Sequence, residues 1–179
     1  MSYGPGRSPL VTGTVVGVGV WLVGYLVAVV VVETTGPVEG FSQLGVAAAI
    51  YVIGVSLALL STTEMSVPLA WLVPTAAGLV AAVAGGAIVV ARTERATNGW
   101  RAVKIGAAIA LGVFLCTMVV LAVYLVPSTP FSNVPLPARY MGLIFGSLLF
   151  PALLGGLGGA IQHSIVTDEP GEKRADSDG

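Results

Sequence analysis

Apolar residues gather in five long runs, at positions 9–32, 41–60, 68–91, 105–126 and 140–161, separated by short polar connections. Each run is 20 to 24 residues long. At a helical rise of 1.5 Å per residue, about 20 residues cross a hydrocarbon layer roughly 30 Å thick. All eight Lys and Arg, all nine Asp and Glu, and the single histidine fall outside the runs. This segregation predicts five membrane-spanning segments. They should be helices, because a backbone surrounded by lipid has to satisfy its own N–H and C=O groups. The runs also lack the alternation of a barrel strand. Val and Ile are frequent and would favour strands in water, but burial in lipid outweighs that modest propensity. The expected fold is therefore all-α: a polytopic membrane helical bundle over residues 1–163, followed by an acidic, disordered cytoplasmic tail over 164–179.

The first run is longer than the roughly 7–15 apolar residues of a cleavable signal, so it is expected to remain as a helix. Connection 33–40 carries Glu33 and Glu39, and 61–67 carries only Glu64. Connection 92–104 is basic, with Arg92, Arg95, Arg101 and Lys104 against Glu94. Connection 127–139 contains Pro127, Pro130, Pro135 and Pro137 and reads as an extended surface segment. Lys and Arg prefer the cytoplasmic side. With five spans and the N-terminus outside, Arg92, Arg95, Arg101, Lys104, Lys173 and Arg174 lie inside, and only Arg7 and Arg139 outside. The expected orientation is N-out, C-in.

Composition agrees with this pattern. The chain is 55% hydrophobic and 9% charged, whereas a soluble domain carries about 25% charged residues. Too few polar groups exist to cover a water-soluble globule, and lipid is the expected solvent. The net charge of −1 offers no basic patch for nucleic acid. One cysteine, Cys116, and one histidine, His163, leave no pairing for a disulfide and no basis for a thiolate- or histidine-rich metal centre. No cofactor is indicated. Trp100 and Tyr140, and less clearly Trp71, stand where an interfacial aromatic belt would lie. Trp21 falls mid-span and reads as a packed or lipid-facing bulky residue.

Small residues recur at four-residue spacing. Gly13 and Gly17 open the first run, with Gly24 further along; Gly78, Ala82 and Gly86 follow in the third; Gly142 and Gly146, then Gly155 and Gly159, in the fifth. Residues four apart share a helix face, and small ones let two backbones approach. The spacing serves packing within one bundle or a homo-oligomer contact equally well. Proline interrupts the third and fifth runs in similar company. Pro74 precedes Gly78 by four residues, and Pro151 precedes Gly155 by four. Paired Pro/Gly interruptions are a pointer to a transport site, because freed carbonyls can line a cavity; the same prolines would also serve merely to kink tilted spans. These four residues are the candidate helix-break or cavity-lining positions.

Polar groups at depth are uncharged hydroxyls: Ser56, Thr75, Thr117, Ser147, Tyr25, Tyr51 and Tyr124. They are expected to bond a carbonyl one turn back or a neighbouring helix. Ion-coupled transporters place ionisable residues inside the membrane, and none lies within the five runs. Ser147 has no general base at its depth. An enzyme is not expected.

The stretches Gly17-Val-Gly-Val-Trp-Leu-Val-Gly-Tyr-Leu26 and Leu149-Phe-Pro-Ala-Leu-Leu-Gly-Gly-Leu-Gly-Gly-Ala160 resemble an uncharacterised family of small multi-pass membrane proteins from halophilic archaea. The Val, Ala and Gly richness and the acidic tail are similar too. The resemblance covers about two helices. It implies a polytopic protein of the cell membrane, sometimes loosely called a transporter, and carries over no functional residues. Two functions follow as expectations. One is facilitated passage of a small solute along carbonyls and hydroxyls. The other is an accessory subunit that packs on another membrane protein through its Gly-rich faces. The expected partners are the lipid bilayer and either a second copy or another membrane protein.

Overall fold

A computed structural model describes residues 8–36, 42–57, 69–93, 98–125 and 136–167; the side chains at 53, 55–57, 69, 71, 124–125 and 136–144 are not part of that description. Every element among the described residues is helical. In chain order these are α1 (Pro9–Thr35), α2 (Gln43–Leu57), α3 (Leu69–Thr93), α4 (Gly99–Ala107), α5 (Ile109–Val120), a π-helical turn (Leu121–Leu125) and α6 (Leu136–Thr167). Four stretches are long and apolar enough to cross a membrane: Pro9–Thr35, Leu72–Thr93, Gly99–Val123 and Phe145–Thr167. The second predicted run is represented by the 15 residues of α2, with 58–60 outside the described residues.

The helices overrun the apolar segments that predict them. Glu33 lies within α1, Arg92 within α3, Arg101 and Lys104 within α4, and His163 within α6. A helix needs only its own backbone bonds, and a charged residue on its last turn reaches water without ending it. Residues 164–167, expected to open the disordered tail, complete α6, and the Thr167 hydroxyl donates to the His163 carbonyl at 3.0 Å. Residues 168–179 lie outside the described residues. Residues 136–139, expected in the proline-rich loop, begin α6, with Pro137 in its first turn, where a missing N–H costs nothing. Asn98 caps α4 by accepting from the Arg101 N–H at 2.8 Å, a start signal in a segment read from sequence only as a basic loop. At the other end of α1, Gly36 sits at φ 97° and its N–H reaches the Val32 carbonyl at 3.2 Å. That backbone region is open essentially to glycine alone.

The prolines do not break their helices. α3 runs through Pro74 and α6 through Pro151. Each ring removes one N–H and so leaves the carbonyl four residues earlier, Ala70 or Ser147, without its usual helical donor. The irregularities fall between α4 and α5 and directly after α5 instead. At Ala108 the bonds shorten to three-residue spacing, Ala108 N–H to Ile105 O at 3.2 Å and Leu111 N–H to Ala108 O at 3.4 Å. The π-helical turn follows at the far end.

α1 packs mainly on α3 and α5, α6 mainly on α3 and α4, and α2 lies against α1, α3 and α6. The buried face of α1 is Gly13, Gly17, Val20, Trp21, Gly24, Ala28 and Val32. Its opposite face exposes Leu10, Val11, Val15, Leu22, Leu26 and Val30. Four of these seven buried positions are Gly or Ala, whereas the exposed face carries large Leu and Val side chains. Val80 is 71% exposed and Val119 63%, and apolar faces of this extent require an apolar surrounding.

Candidate functional site

The candidate packing glycines lie against neighbouring backbone. A Cβ at Gly13 would meet Ala108 Cβ at 2.5 Å, and one at Gly17 would meet the Ile109 carbonyl and Gly112 Cα. α1 is therefore seated on the tightened turn between α4 and α5. A Cβ at Gly86 would strike the Gly155 carbonyl, and one at Gly106 would strike the same group from α4. Gly155 is thus the point where α3, α4 and α6 converge, a packing position rather than a cavity wall. Gly146 is buried on α6, whereas the side-chain surroundings of Gly142 are outside the description.

The other three candidates stand near the middle of the bundle. Pro74 is fully buried. Gly78 and Pro151 line one small cavity with Val20, Tyr51, Leu79, Ala82, Val113, Phe150 and Leu154. Its volume is about 10 Å³, close to the minimum that holds one water. The two proline-containing helices therefore meet at this depth, Pro151 from α6 facing Gly78 one turn beyond Pro74 on α3.

Tyr51 organises the cavity, and three helices position it by one device. Each carries a large or hydroxyl-bearing residue three positions before a glycine: Trp21 and Gly24 on α1, Tyr51 and Gly54 on α2, Thr75 and Gly78 on α3. Residues three apart share a face. The Tyr51 ring edge and hydroxyl occupy the space that Cβ atoms at Gly24 and Gly78 would take, and the Thr75 hydroxyl occupies that of a Cβ at Gly54. Tyr51 also meets the Trp21 indole edge-on, ring centroids 5.7 Å apart, and Trp21 stacks on Tyr25 at 5.1 Å. Tyr51 is 2% exposed and Trp21 6%. Trp21, expected as a packed or lipid-facing bulky residue, is thus packed, in an aromatic cluster with Tyr25 and Tyr51.

Several hydroxyls behave as expected at depth. Thr117 donates to the Val113 carbonyl at 2.9 Å, and Tyr25 reaches the Leu44 carbonyl of α2 at 3.4 Å. Thr75 does not. Its Oγ1 and the Trp21 Nε1 are buried without a hydrogen-bond partner among the described residues. Each such orphan costs roughly 1–3 kcal/mol if nothing solvates it. Cys116 is a half-buried neighbour of the core. At the end rich in arginine and lysine, the Lys104 ammonium lies 5.5 Å from the centre of the exposed Trp100 ring, an arrangement suited to a membrane–water boundary. Ser56, Trp71, Tyr124 and Tyr140 have side chains outside the description. No cluster of three or more His, Cys, Asp or Glu side chains placed to hold a metal occurs among the described residues.

No protein-family model matches this chain, and no curated protein or solved structure is detectably similar to it.

Proposed function

We propose that this chain crosses the cell membrane five times, N-terminus outside and C-terminus inside, and facilitates the passage of a small uncharged solute through its centre. The observation that carries the reading is the cavity shared by Gly78, Pro151 and Tyr51. Its wall is formed in part by Tyr51 and by a proline whose ring withdraws a backbone N–H from α6. Irregular backbone at membrane depth is tolerated where it is enclosed by protein or lines a cavity. Charged residues of the described helices sit near their ends, at Glu33, Arg92, Arg101 and Lys104, which favours uncoupled passage over charge-coupled pumping. With room for about one water, the centre is closed in this conformation. The glycine contacts of Gly86, Gly106 and Gly155 hold α3, α4 and α6 together beyond it, so passage requires these helices to part.

The accessory-subunit alternative rested on free Gly-rich faces. Gly13, Gly17, Gly78 and Gly155 already meet neighbouring helices of the same chain, which supports an interior role over docking. Purified protein in sealed vesicles, assayed against a panel of small neutral solutes, is expected to raise permeability to at least one of them. Permeability equal to that of protein-free vesicles across the panel, together with a stoichiometric foreign partner on crosslinking in native membranes, would replace this function with the accessory role.

A further inference from the structure

The outward face of α4 and α5 changes chemistry along its length. On α4 the buried residues are Ala102, Ile105 and Gly106, and the exposed ones are Trp100, Arg101 and Lys104. On α5 the exposed residues are Leu111, Leu115 and Val119. Trp100 and Lys104 are four residues apart, and Leu111 follows Lys104 by seven, so these positions recur on one helix face. Ala102 and Gly106 of α4 and Ile109 of α5 all pack on Gly155 or Gly159 of α6. The exposed residues of both helices therefore turn away from the same neighbour and form one stripe. From Lys104 to Leu115 it runs about 16 Å, the depth of one leaflet in a hydrocarbon layer roughly 30 Å thick. The Lys104 ammonium lies 5.5 Å from the centre of the Trp100 ring, one turn towards the start of α4. Its charge is thus drawn away from the apolar stripe. Arg92 is exposed at the same end of the bundle, since Val90 and Ala102 both meet Gly159. No Asp or Glu occurs between residues 98 and 123.

We propose that this stripe seats one anionic phospholipid, its phosphate against the Lys104 ammonium beside Trp100 and an acyl chain along Leu111 and Leu115. Charge sets the headgroup. A phosphate complements an ammonium, and each Lys or Arg near an anionic lipid surface strengthens attraction about fivefold. A zwitterionic headgroup brings a cation of its own, which finds no carboxylate on this face and is repelled by Lys104 and Arg101. The apolar stripe sets the rest of the ligand. A free phosphate would leave it bare, whereas a lipid tail covers Leu111 and Leu115, which are 42% and 47% exposed. The indole of Trp100 suits the headgroup level between the two. This lipid seat goes beyond the passage of a solute and does not depend on it.

Full-length protein in a neutral detergent is mixed with equimolar phosphatidylglycerol and phosphatidylcholine of the same chains, and bound lipid is counted by native mass spectrometry. Phosphatidylglycerol is expected to be retained several-fold over phosphatidylcholine. Lys104→Gln should cut that preference about fivefold, and Lys104→Arg should keep it. Lys104 is exposed, so Lys104→Gln should leave the lipid-free thermal midpoint unchanged, which separates a lost lipid from a lost fold. Excess inorganic phosphate should not release the bound lipid. Equal retention of the two lipids, or a preference that survives Lys104→Gln, would overturn the seat. Release by phosphate alone would overturn it too, in favour of a soluble anion. Vesicle permeability plays no part in this measurement, so failure of either reading leaves the other standing.

Discussion

Replacing Gly86 with alanine should drive α3 away from α6. The added Cβ falls on the Gly155 carbonyl group, with Gly155 C at 2.6 Å and Cα at 2.7 Å. These are backbone atoms, so no side chain can rotate out of the way. Restoring ordinary carbon contacts of about 3.5 Å requires the seam to open by roughly 1 Å, a gap that forfeits a quarter to a half of each affected dispersion contact. Overpacking of this kind costs about 1–3 kcal/mol. The gain in helix propensity of alanine over glycine offsets about 1 kcal/mol. The net expectation is destabilisation by about 2 kcal/mol, at the upper end because the obstacle is rigid. Gly19 on α1 is the internal control, since its Cβ would meet nothing within 4 Å. Gly19→Ala should be neutral or stabilising by up to about 1 kcal/mol. Reversible unfolding in mixed detergent micelles, followed by circular dichroism, measures both. Equal stabilities for the two variants would refute the claim that inward glycines set the helix spacing.

Gly54→Ala should collide with the Thr75 hydroxyl and destabilise by about 1–2 kcal/mol, with Gly54→Ala/Thr75→Ala recovering most of the loss in a double-mutant cycle. Asn98→Ala removes the cap on α4 and should cost about 1 kcal/mol, visible as faster amide exchange at Arg101. Gly36→Ala forces a side chain into the φ 97° conformation and should cost about 1–3 kcal/mol, read as fraying of the last turn of α1 by the same exchange measurement.

The helices were legible from the segregation of charge because lipid punishes a misplaced charge more than any other solvent. Their ends were not, since Glu33, Arg92, Lys104 and His163 lie within the helices and a helix runs past its apolar stretch without a compositional mark. Pro74 and Pro151 were conspicuous in sequence, yet losing one backbone bond does not stop a helix whose remaining bonds have no water to compete for them. Ala108 carries no local signal; its turn coincides with the close seating of α1 at Gly13. The Tyr51 cluster arises from juxtaposition across three helices. Its one local trace is the repeated spacing Trp21/Gly24, Tyr51/Gly54 and Thr75/Gly78, which four-residue glycine patterns overlook.

Every structural and functional inference depends on the chain threading lipid, and sidedness tests that most directly. With Cys116→Ala to remove the native thiol, single cysteines are introduced as Thr97→Cys and Ser132→Cys, in the third and fourth connections between the five apolar runs. A membrane-impermeant maleimide applied to intact cells should label position 132 alone, with position 97 labelled only after permeabilisation. Labelling of both positions on intact cells, or recovery of the protein in the aqueous supernatant, would contradict the five-span bundle.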